Sequence, residues 1–189
     1  MARFLKKNLF LFLGLIVLAG TAEASTVYRV QKTGSEIYFK VDHSGIPLVK
    51  GRFEKFDGTL FFEGNRLECF EGTAHMDTLT TGLRARDNDL QSDHFFAAEQ
   101  FPVMTIRSAW IIQTEDHVDI AGYLTIRDIT KLVTLRGTVE RGNAQKKEAG
   151  LKLEGTIDRR DFGLRLKNFF EFFAGENVVI SLKLKAVLI

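Results

Sequence analysis

The sequence predicts an all-β fold in which antiparallel strands follow one another along the chain. Apolar and polar residues alternate strictly in several segments, as in EIYFKVD, where Ile37, Phe39 and Val41 are separated by polar or aromatic residues. No long helical pattern lies between these segments, which excludes a parallel sheet with crossover helices. Eight or so strands with one apolar and one charged face fit a closed up-and-down barrel or a sandwich.

The alternation places the individual strands along the chain, and the first of them is short enough to merge with its neighbour. The predicted strands are at about 27–32, 35–42, 52–62, 66–76, 103–112, 117–127, 131–140, 150–160 and 176–188. The links 43–51, 77–102 and 161–175 are long and each follows an even-numbered strand, whereas the links near 33–34, 63–65, 113–116 and 141–149 are hairpin-like. In a meander the three long links share one rim, which predicts a plain end and an elaborated mouth.

Polar residues continue the inward-facing positions at the mouth ends of three strands. His43 follows Val41, Asp128 follows Ile126, and Arg159 and Asp161 follow Ile157. Buried polar groups need partners, so these residues form either a hydrogen-bonded plug under the rim or a polar collar that holds a ligand headgroup.

The stretch RDNDLQSDHFF (86–96) concentrates charges that could belong to a metal site, an acid–base centre or a solvated helix. Asp87 and His94 are seven positions apart, too far for the compact pair that a helical metal site needs. We predict a broken helix over the mouth, in which Ser92 and Asp93 cap a second turn through HFFAAEQ (94–100) and Phe95 and Phe96 are directed into the opening.

The link NFFEFFAG (168–175) holds four of the 17 phenylalanines and belongs to the same rim. A solvated apolar patch of this size usually marks a binding surface. The phenylalanines, Phe169 among them, either cap the core, line an apolar tunnel or form a dimer contact.

The first 24 residues have the pattern of a cleaved export signal. Three basic residues precede the apolar run LFLFLGLIVLAG (9–20), and Ala22 and Ala24 provide a small-x-small cleavage site. The run is too short for a membrane span, which needs roughly 20 residues. We therefore expect residues 1–24 to be removed, residues 25–189 to form one domain, and the protein to reside in the periplasm.

Charge and motif content exclude several classes of protein. Without residues 1–24 the chain has 23 basic and 23 acidic residues, so nothing draws it to nucleic acid. Cys69 is the only cysteine, which excludes an internal disulfide and a Cys/His zinc site. The DxDxDG, HExxH and GxSxG motifs are absent, so we predict no metal, no cofactor and no catalytic residues.

The order and spacing of several segments resemble the YceI-like family, lipocalin-like polyisoprenoid-binding proteins exported by bacteria. The segments are YRV, SEIYFKVDHSGI, VKGRFEKFDGTLFF, RDNDLQSDHFFAAEQFPVMTI, GYLTIRDITKLVTL, TIDRRDFGL and ENVVISLKLKAVL. The resemblance implies an extended eight-stranded antiparallel barrel with a short helical lid. It also implies a long apolar interior that binds an isoprenoid or similar lipid, often in a homodimer, and no established catalysis.

Some positions of the family carry over to this chain. They are His43, Gly51, Phe53, the lid residues Arg86, Asp87, Leu90, Asp93, Phe95 and Phe96, and Arg159, Asp161, Phe162 and Gly163. Ala97 and Phe101–Pro102 replace the aspartate and Tyr-Pro that are common in the family, and the link after Gly163 is unusually rich in phenylalanine.

Together these observations predict a lipid-binding barrel and a set of ligand-binding residues. The apolar tunnel is predicted at Phe39, Phe53, Phe95, Phe96, Leu124, Phe162 and Phe169, and the polar collar at His43, Arg86, Asp87, Asp128, Arg159 and Asp161. Two alternatives remain: a stress or scaffold protein with a filled core, and an enzyme in which His43 acts as base with Asp128 or Asp161.

Overall fold

Ten antiparallel strands form one sheet in the computed structural model, which describes residues 25–43, 46–141, 147–165 and 175–189. The strands are β1 Ser25–His43, β2 Ile46–Phe53, β3 Phe56–Glu63, β4 Arg66–His75, β5 Leu79–Thr80, β6 Val103–Gln113, β7 Val118–Ile126, β8 Ile129–Arg141, β9 Glu148–Asp158 and β10 Asn177–Leu188. Helix α1 spans Arg84–Gln91, and 3₁₀ turns span Met76–Thr78 and Arg159–Phe162.

The sheet closes on itself, because β1 pairs with β10 as well as with β2 and β3. β2 pairs with residues 37–43 of β1 and β3 with residues 25–29, so β2 and β3 together act as one long strand. β5 has only two residues and extends the edge of β2. The result is the predicted eight-stranded up-and-down barrel, and the sandwich is excluded.

The prediction that the long links share one rim is confirmed. Following the antiparallel order, the links 44–45, 76–102, 127–128 and 159–176 all leave the sheet at one end. The links 64–65, 114–117 and 142–147 leave it at the other end. We call these ends the mouth and the hairpin end.

Two sequence-based boundaries were wrong. Residues 33–34 do not form a hairpin, because both halves of β1 pair with β10 in the same direction. The chain bulges there instead: Gly34 has a φ of 84°, and the Ser35 hydroxyl accepts a hydrogen bond from the Lys185 amide at 2.8 Å. Residues 46–51, expected in a link, belong to β2 because pairing with β1 overrides their irregular alternation.

The buried side chains form two clusters, one at each end of the barrel. The hairpin-end cluster includes Tyr28, Leu60, Phe62, Phe70 and Leu151. The mouth cluster gathers residues from the strand ends and from the links, among them Phe53, Met76, Phe95, Phe162 and Leu164. When the partly buried side chains packed against these clusters are counted, β1, β4 and β6 to β10 contribute to both.

The predicted leader, residues 1–24, lies outside the described residues, so its cleavage stays a prediction. Within the described ranges, no helix combines the length and apolar character needed to cross a membrane.

Candidate functional site

The mouth half of the barrel encloses a cavity of about 890 Å³. Apolar side chains of β1, β2, β4 and β6 to β10 form most of its wall, and helix α1 covers it. The titratable side chains that line the cavity come mostly from the links at the mouth and not from the strands. They include Arg86, Asp89, His94, Arg159 and Arg165, with Asp57 from the start of β3. The site is therefore an apolar chamber with a polar entrance.

Phe39 and Phe53 lie on the cavity wall, as the sequence predicts. Their ring centroids are 5.9 Å apart. Phe39 stands opposite Gly51 in the β1–β2 ladder, and a Cβ atom on Gly51 would lie 2.2 Å from the tip of the Phe39 ring. The absence of a side chain at Gly51 therefore allows the ring to lie flat across β2 and face the cavity.

Phe95, Phe96 and Leu124 also reach the cavity. Phe95 and Phe96 follow α1 and are each 8% exposed, with their rings edge to face at a centroid distance of 4.8 Å. The predicted second helical turn does not form, because the Ser92 hydroxyl donates to the Asp89 carbonyl and the chain continues in turns. These turns direct both phenylalanines inward from the rim.

Helix α1 is a lid of a single layer: none of its residues is buried, so no part of the chain that the structure describes packs over its outer side. Its inner side carries Ala85, Arg86, Asp89 and Leu90. Side-chain hydrogen bonds hold it at both ends, and at the C-terminal end the Gln91 amide donates to the Leu79 carbonyl at 3.2 Å.

Arg86 and Asp87 both bind the segment that precedes the helix. Arg86 Nε donates to Thr81 Oγ1 at 2.8 Å and Arg86 Nη2 to the Thr81 carbonyl at 3.1 Å. The Asp87 carboxylate accepts from the Thr81 amide at 2.7 Å and from Thr80 Oγ1 at 3.0 Å. Burial alone would raise the pKa of Asp87, but the hydrogen bonds from Thr81 and Thr80 and the charge of Arg86 together lower it.

The role predicted for Asp87 needs correction. Arg86 lines the cavity, but the Asp87 carboxylate turns away from it to fasten the start of the helix to Thr80 and Thr81. Asp87 is a positioning residue of the lid rather than part of a collar.

Among the described residues, Arg159 is the most deeply buried cation of the mouth, with 3% of its surface exposed, and it lines the cavity. Its Nη1 donates to the Leu164 carbonyl at 2.7 Å and its Nε to the Gly175 carbonyl at 3.1 Å. The guanidinium therefore joins the two ends of the link between β9 and β10 beside the chamber.

Asp128 and Asp161 are exposed, so their expected inward placement is wrong. Asp128 lies in the two-residue turn between β7 and β8, where Arg127 adopts a φ of 58° and the alternation ends. Asp161 lies in the 3₁₀ turn Arg159–Phe162, whose threefold period replaces the twofold period of the strand.

The remaining predicted site residues have different positions. Phe162 is 1% exposed and packs in the mouth cluster, but it does not line the cavity; the 3₁₀ turn that carries it packs against β8. Phe169 and the side chain of His43 lie outside the described residues. Ligand contact by the residues that do line the cavity stays a prediction.

Sequence reasoning missed several wall residues and one residue of the rim. Ile106, Leu182 and Leu184 line the cavity, and their inward alternation could have identified them. Arg127 gives no such signal: its Nη1 donates to the Phe95 carbonyl at 3.4 Å, and its guanidinium lies 5.7 Å from the centre of the Phe101 ring. It fastens the segment after the lid to the β7–β8 turn.

The chemistry available at the mouth is recognition of polar groups by hydrogen bonds and charge. Among the described residues, no group of three or more histidine, cysteine, aspartate or glutamate side chains could hold a metal ion. The titratable side chains beside the cavity instead surround its entrance, where they could meet a polar headgroup.

Comparison with known proteins identifies the family. The YceI-like domain matches residues 28–186. Protein YceI of Salmonella agona (strain SL483) is 31% identical over 169 residues, which cover 85% of this chain and 88% of that protein. Protein YceI of Salmonella arizonae matches with the same identity and coverage.

Solved structures have the same fold. BcnA of Burkholderia cenocepacia matches with a TM-score of 0.75 at 19% identity, covering 84% of this chain and 99% of that one. A YceI protein of Campylobacter jejuni matches with a TM-score of 0.62 at 27% identity, covering 76% and 88%. A polyisoprenoid binding domain from Saccharophagus degradans, implicated in plant cell wall breakdown, matches with a TM-score of 0.65 at 16% identity, covering 87% and 99%. By the match over residues 28–186 and by its relatives, this chain belongs to the YceI-like family.

Proposed function

We propose that this chain is an exported lipid-binding protein that holds a long-chain amphiphile, such as a polyisoprenoid or an isoprenoid quinone, for transport, storage or stress protection. The observation that carries the proposal is the cavity of about 890 Å³, which has apolar walls and a charged entrance. An amphiphile with one apolar chain and one polar end matches this distribution.

The energetics favour an apolar occupant. Water in such a chamber would find few hydrogen-bond partners on the walls. Burying an apolar chain there contributes about 0.8 kcal/mol per CH₂ group, so a few isoprene units suffice for tight binding. A polar headgroup then remains at the mouth beside Arg86 and Arg159, both of which line the cavity.

Membership of the YceI-like family supports the same conclusion. The domain from Saccharophagus degradans, which shares the fold, is described as polyisoprenoid binding. A binding role for this chain accords with both.

The cavity argues against the two alternatives. A scaffold protein with a filled core has no use for about 890 Å³ of apolar space. The enzyme alternative pairs His43 with Asp128 or Asp161, but both carboxylates are exposed to solvent. We therefore favour a binding protein over an enzyme.

Export to the periplasm and formation of a homodimer belong to the proposal as well. If residues 1–24 are an export signal, the N-terminal sequence of the protein from the periplasm begins at Ser25. Recovery of the uncleaved chain from the cytoplasm would contradict export. Analytical ultracentrifugation tests the homodimer, and a sedimentation coefficient of a monomer at all concentrations would contradict it.

Lipid extraction and mass spectrometry of the protein purified from its native envelope test the proposed function. We expect one polyprenyl, quinone or related long-chain amphiphile in a near-stoichiometric amount. Recovery of the protein without lipid, together with failure to bind added isoprenoids, would contradict it.

A further inference from the structure

The cavity ends at a floor that lies inside the barrel. Four buried side chains form this floor: they line the cavity and also belong to the hairpin-end cluster. They are Phe70, Leu135, Leu182 and Leu184. A ligand that enters at the mouth meets these side chains at its far end.

The barrel beyond the floor is filled with side chains. Leu60, Phe62, Leu67 and Leu151 are at most 1% exposed, and none of them lines the cavity. Tyr28 and Phe62 meet edge to face at a centroid distance of 5.4 Å. An apolar chain therefore cannot continue toward the hairpin end without displacing well-packed residues.

Phe70 is the one aromatic residue of this floor, and its backbone is held by a side chain of β6. Its amide donates to Ser108 Oγ at 3.0 Å, where β6 bulges between Ser108 and Trp110. Its ring covers Gly72, since a Cβ atom on Gly72 would lie 3.3 Å from Phe70 Cζ. Gly72 is nearer the mouth along β4, so the ring extends from the floor toward the ligand.

The volume limits the length of the chain that fits. A water molecule's share of the liquid is about 30 Å³ and a methylene group occupies a similar volume, so about 30 carbon atoms fill the cavity of about 890 Å³. This corresponds to about six isoprene units at complete filling. Further units must stay outside the barrel.

We propose that the floor, chiefly Phe70, limits the buried length of the ligand to about 30 carbons. The inference rests on the proposed function and specifies its substrate class: amphiphiles with chains of up to about six isoprene units. Phe70 is thereby a residue that determines specificity for chain length.

A series of isoprenoid alcohols of three to nine units, titrated into the full-length protein, tests the limit. Below the limit each added unit buries about five more carbons, so the association constant rises by up to about a thousandfold per unit. We expect the rise to stop at about six units or fewer. A continued rise through nine units would overturn the limit.

Substitutions in the floor test whether Phe70 sets the limit on chain length. Phe70→Ala removes the six carbons of a ring, so the length at which the rise stops increases by about one unit. Phe62→Ala is the matched control, because Phe62 is equally buried but does not line the cavity; its limit stays where it is in the wild type. Phe70→Leu covers the case in which Phe70→Ala does not fold, with a smaller increase in the same direction.

The outcomes separate this inference from the proposed function. An unchanged limit in both Phe70 variants, or an equal increase in Phe62→Ala, overturns the role of Phe70 alone. Equal affinity at every length overturns the limit while binding itself stands. Absence of binding at every length overturns the proposed function, and this inference with it.

Discussion

The two ends of the barrel are built from the same strands but differ in what fills them. At the hairpin end Leu60, Phe62 and Leu151 leave no more than 1% of their surfaces exposed. At the mouth the wall surrounds about 890 Å³ of open space. One pattern of alternating apolar residues thus produces both a packed core and a chamber.

The continuity of the strand ladders explains part of this difference. The β8–β9 ladder ends at Arg136 and Glu154, although both strands continue to the mouth. On the other side β2 pairs with β5 at only two positions, Arg52 and Phe53. The barrel is therefore less regularly hydrogen-bonded where it is hollow. Stability is expected to come from the hairpin end and function from the mouth.

Loss of a ring at each end is the strongest test of this comparison. Phe62→Ala should lower the free energy of unfolding by about 3–5 kcal/mol, because it leaves a cavity in a packed core. Phe39→Ala should lower it by about 1–2 kcal/mol, because that half-buried ring already faces open space. Urea denaturation measures both, and equal losses would contradict the division of roles.

A substitution that fills the chamber should weaken ligand binding more than it lowers stability. Ala74 lines the cavity and is 7% exposed, so Ala74→Phe places a ring where the ligand chain should lie. We expect binding of geranylgeraniol to weaken at least tenfold, about 1.4 kcal/mol, while the unfolding transition persists.

The control for this variant is Ala109→Phe. Ala109 is an exposed residue that does not line the cavity, and the substitution adds the same ring. Binding as in the wild type is expected. Equal weakening in both variants would place the ligand elsewhere.

Asp87 in the lid should make a pH-dependent contribution of intermediate size to the free energy of unfolding. The folded-state pKa of Asp87 is lowered by its hydrogen bonds and by Arg86, so its contribution is present above the unfolded value of 3.8 and is lost as the pH falls through the lower folded value. Asp87→Asn should lower the free energy of unfolding by about 1–2 kcal/mol at neutral pH.

Denaturation across pH measures this effect. The difference between the wild type and Asp87→Asn should shrink as the pH falls below the unfolded value of 3.8, because the unfolded chain then takes up a proton that folded Asp87 binds only at lower pH. Asp89→Asn, on the same helix with an exposed side chain, should show little difference at any pH. A constant difference for Asp87→Asn would contradict the contribution of its charge.

The smallest effect concerns the backbone before the lid. Gly82 has a φ of 78°, and no atom lies within 4 Å of a Cβ added there. Gly82→Ala should therefore lower the free energy of unfolding by about 1 kcal/mol through backbone strain alone. If the same denaturation assay shows a stability loss as large as that of Phe62→Ala, the added methyl group must clash with neighbouring atoms, which would contradict an effect of backbone strain alone.

The sequence was sufficient to predict the barrel and its mouth, because strand alternation and link length are local properties. The positions of Phe39 and Leu124 on the wall followed from the same alternation, and that of Phe53 came from the resemblance to the family. Alternation fails where strands end: Arg127 takes a positive φ at a tight turn, and a 3₁₀ turn carries Asp161 to the surface.

The floor and the lid contacts could not be predicted in this way. Phe70 and Phe62 are equally buried in one cluster, but empty space lies beside Phe70 alone, and that depends on packing across the whole barrel. The Asp87 carboxylate turns to Thr80 and Thr81 because the chain folds back before α1, a feature that no periodic pattern encodes.

Native mass spectrometry of the protein purified from its own envelope, beside Ala74→Phe prepared in the same way, tests the central claim most directly. We predict one long-chain amphiphile bound per wild-type barrel and a clearly smaller bound fraction in Ala74→Phe, because the added ring takes up part of the chamber. A wild-type barrel without ligand, or an equal amount of ligand in both proteins, would contradict the claim that the mouth cavity is a lipid-binding site.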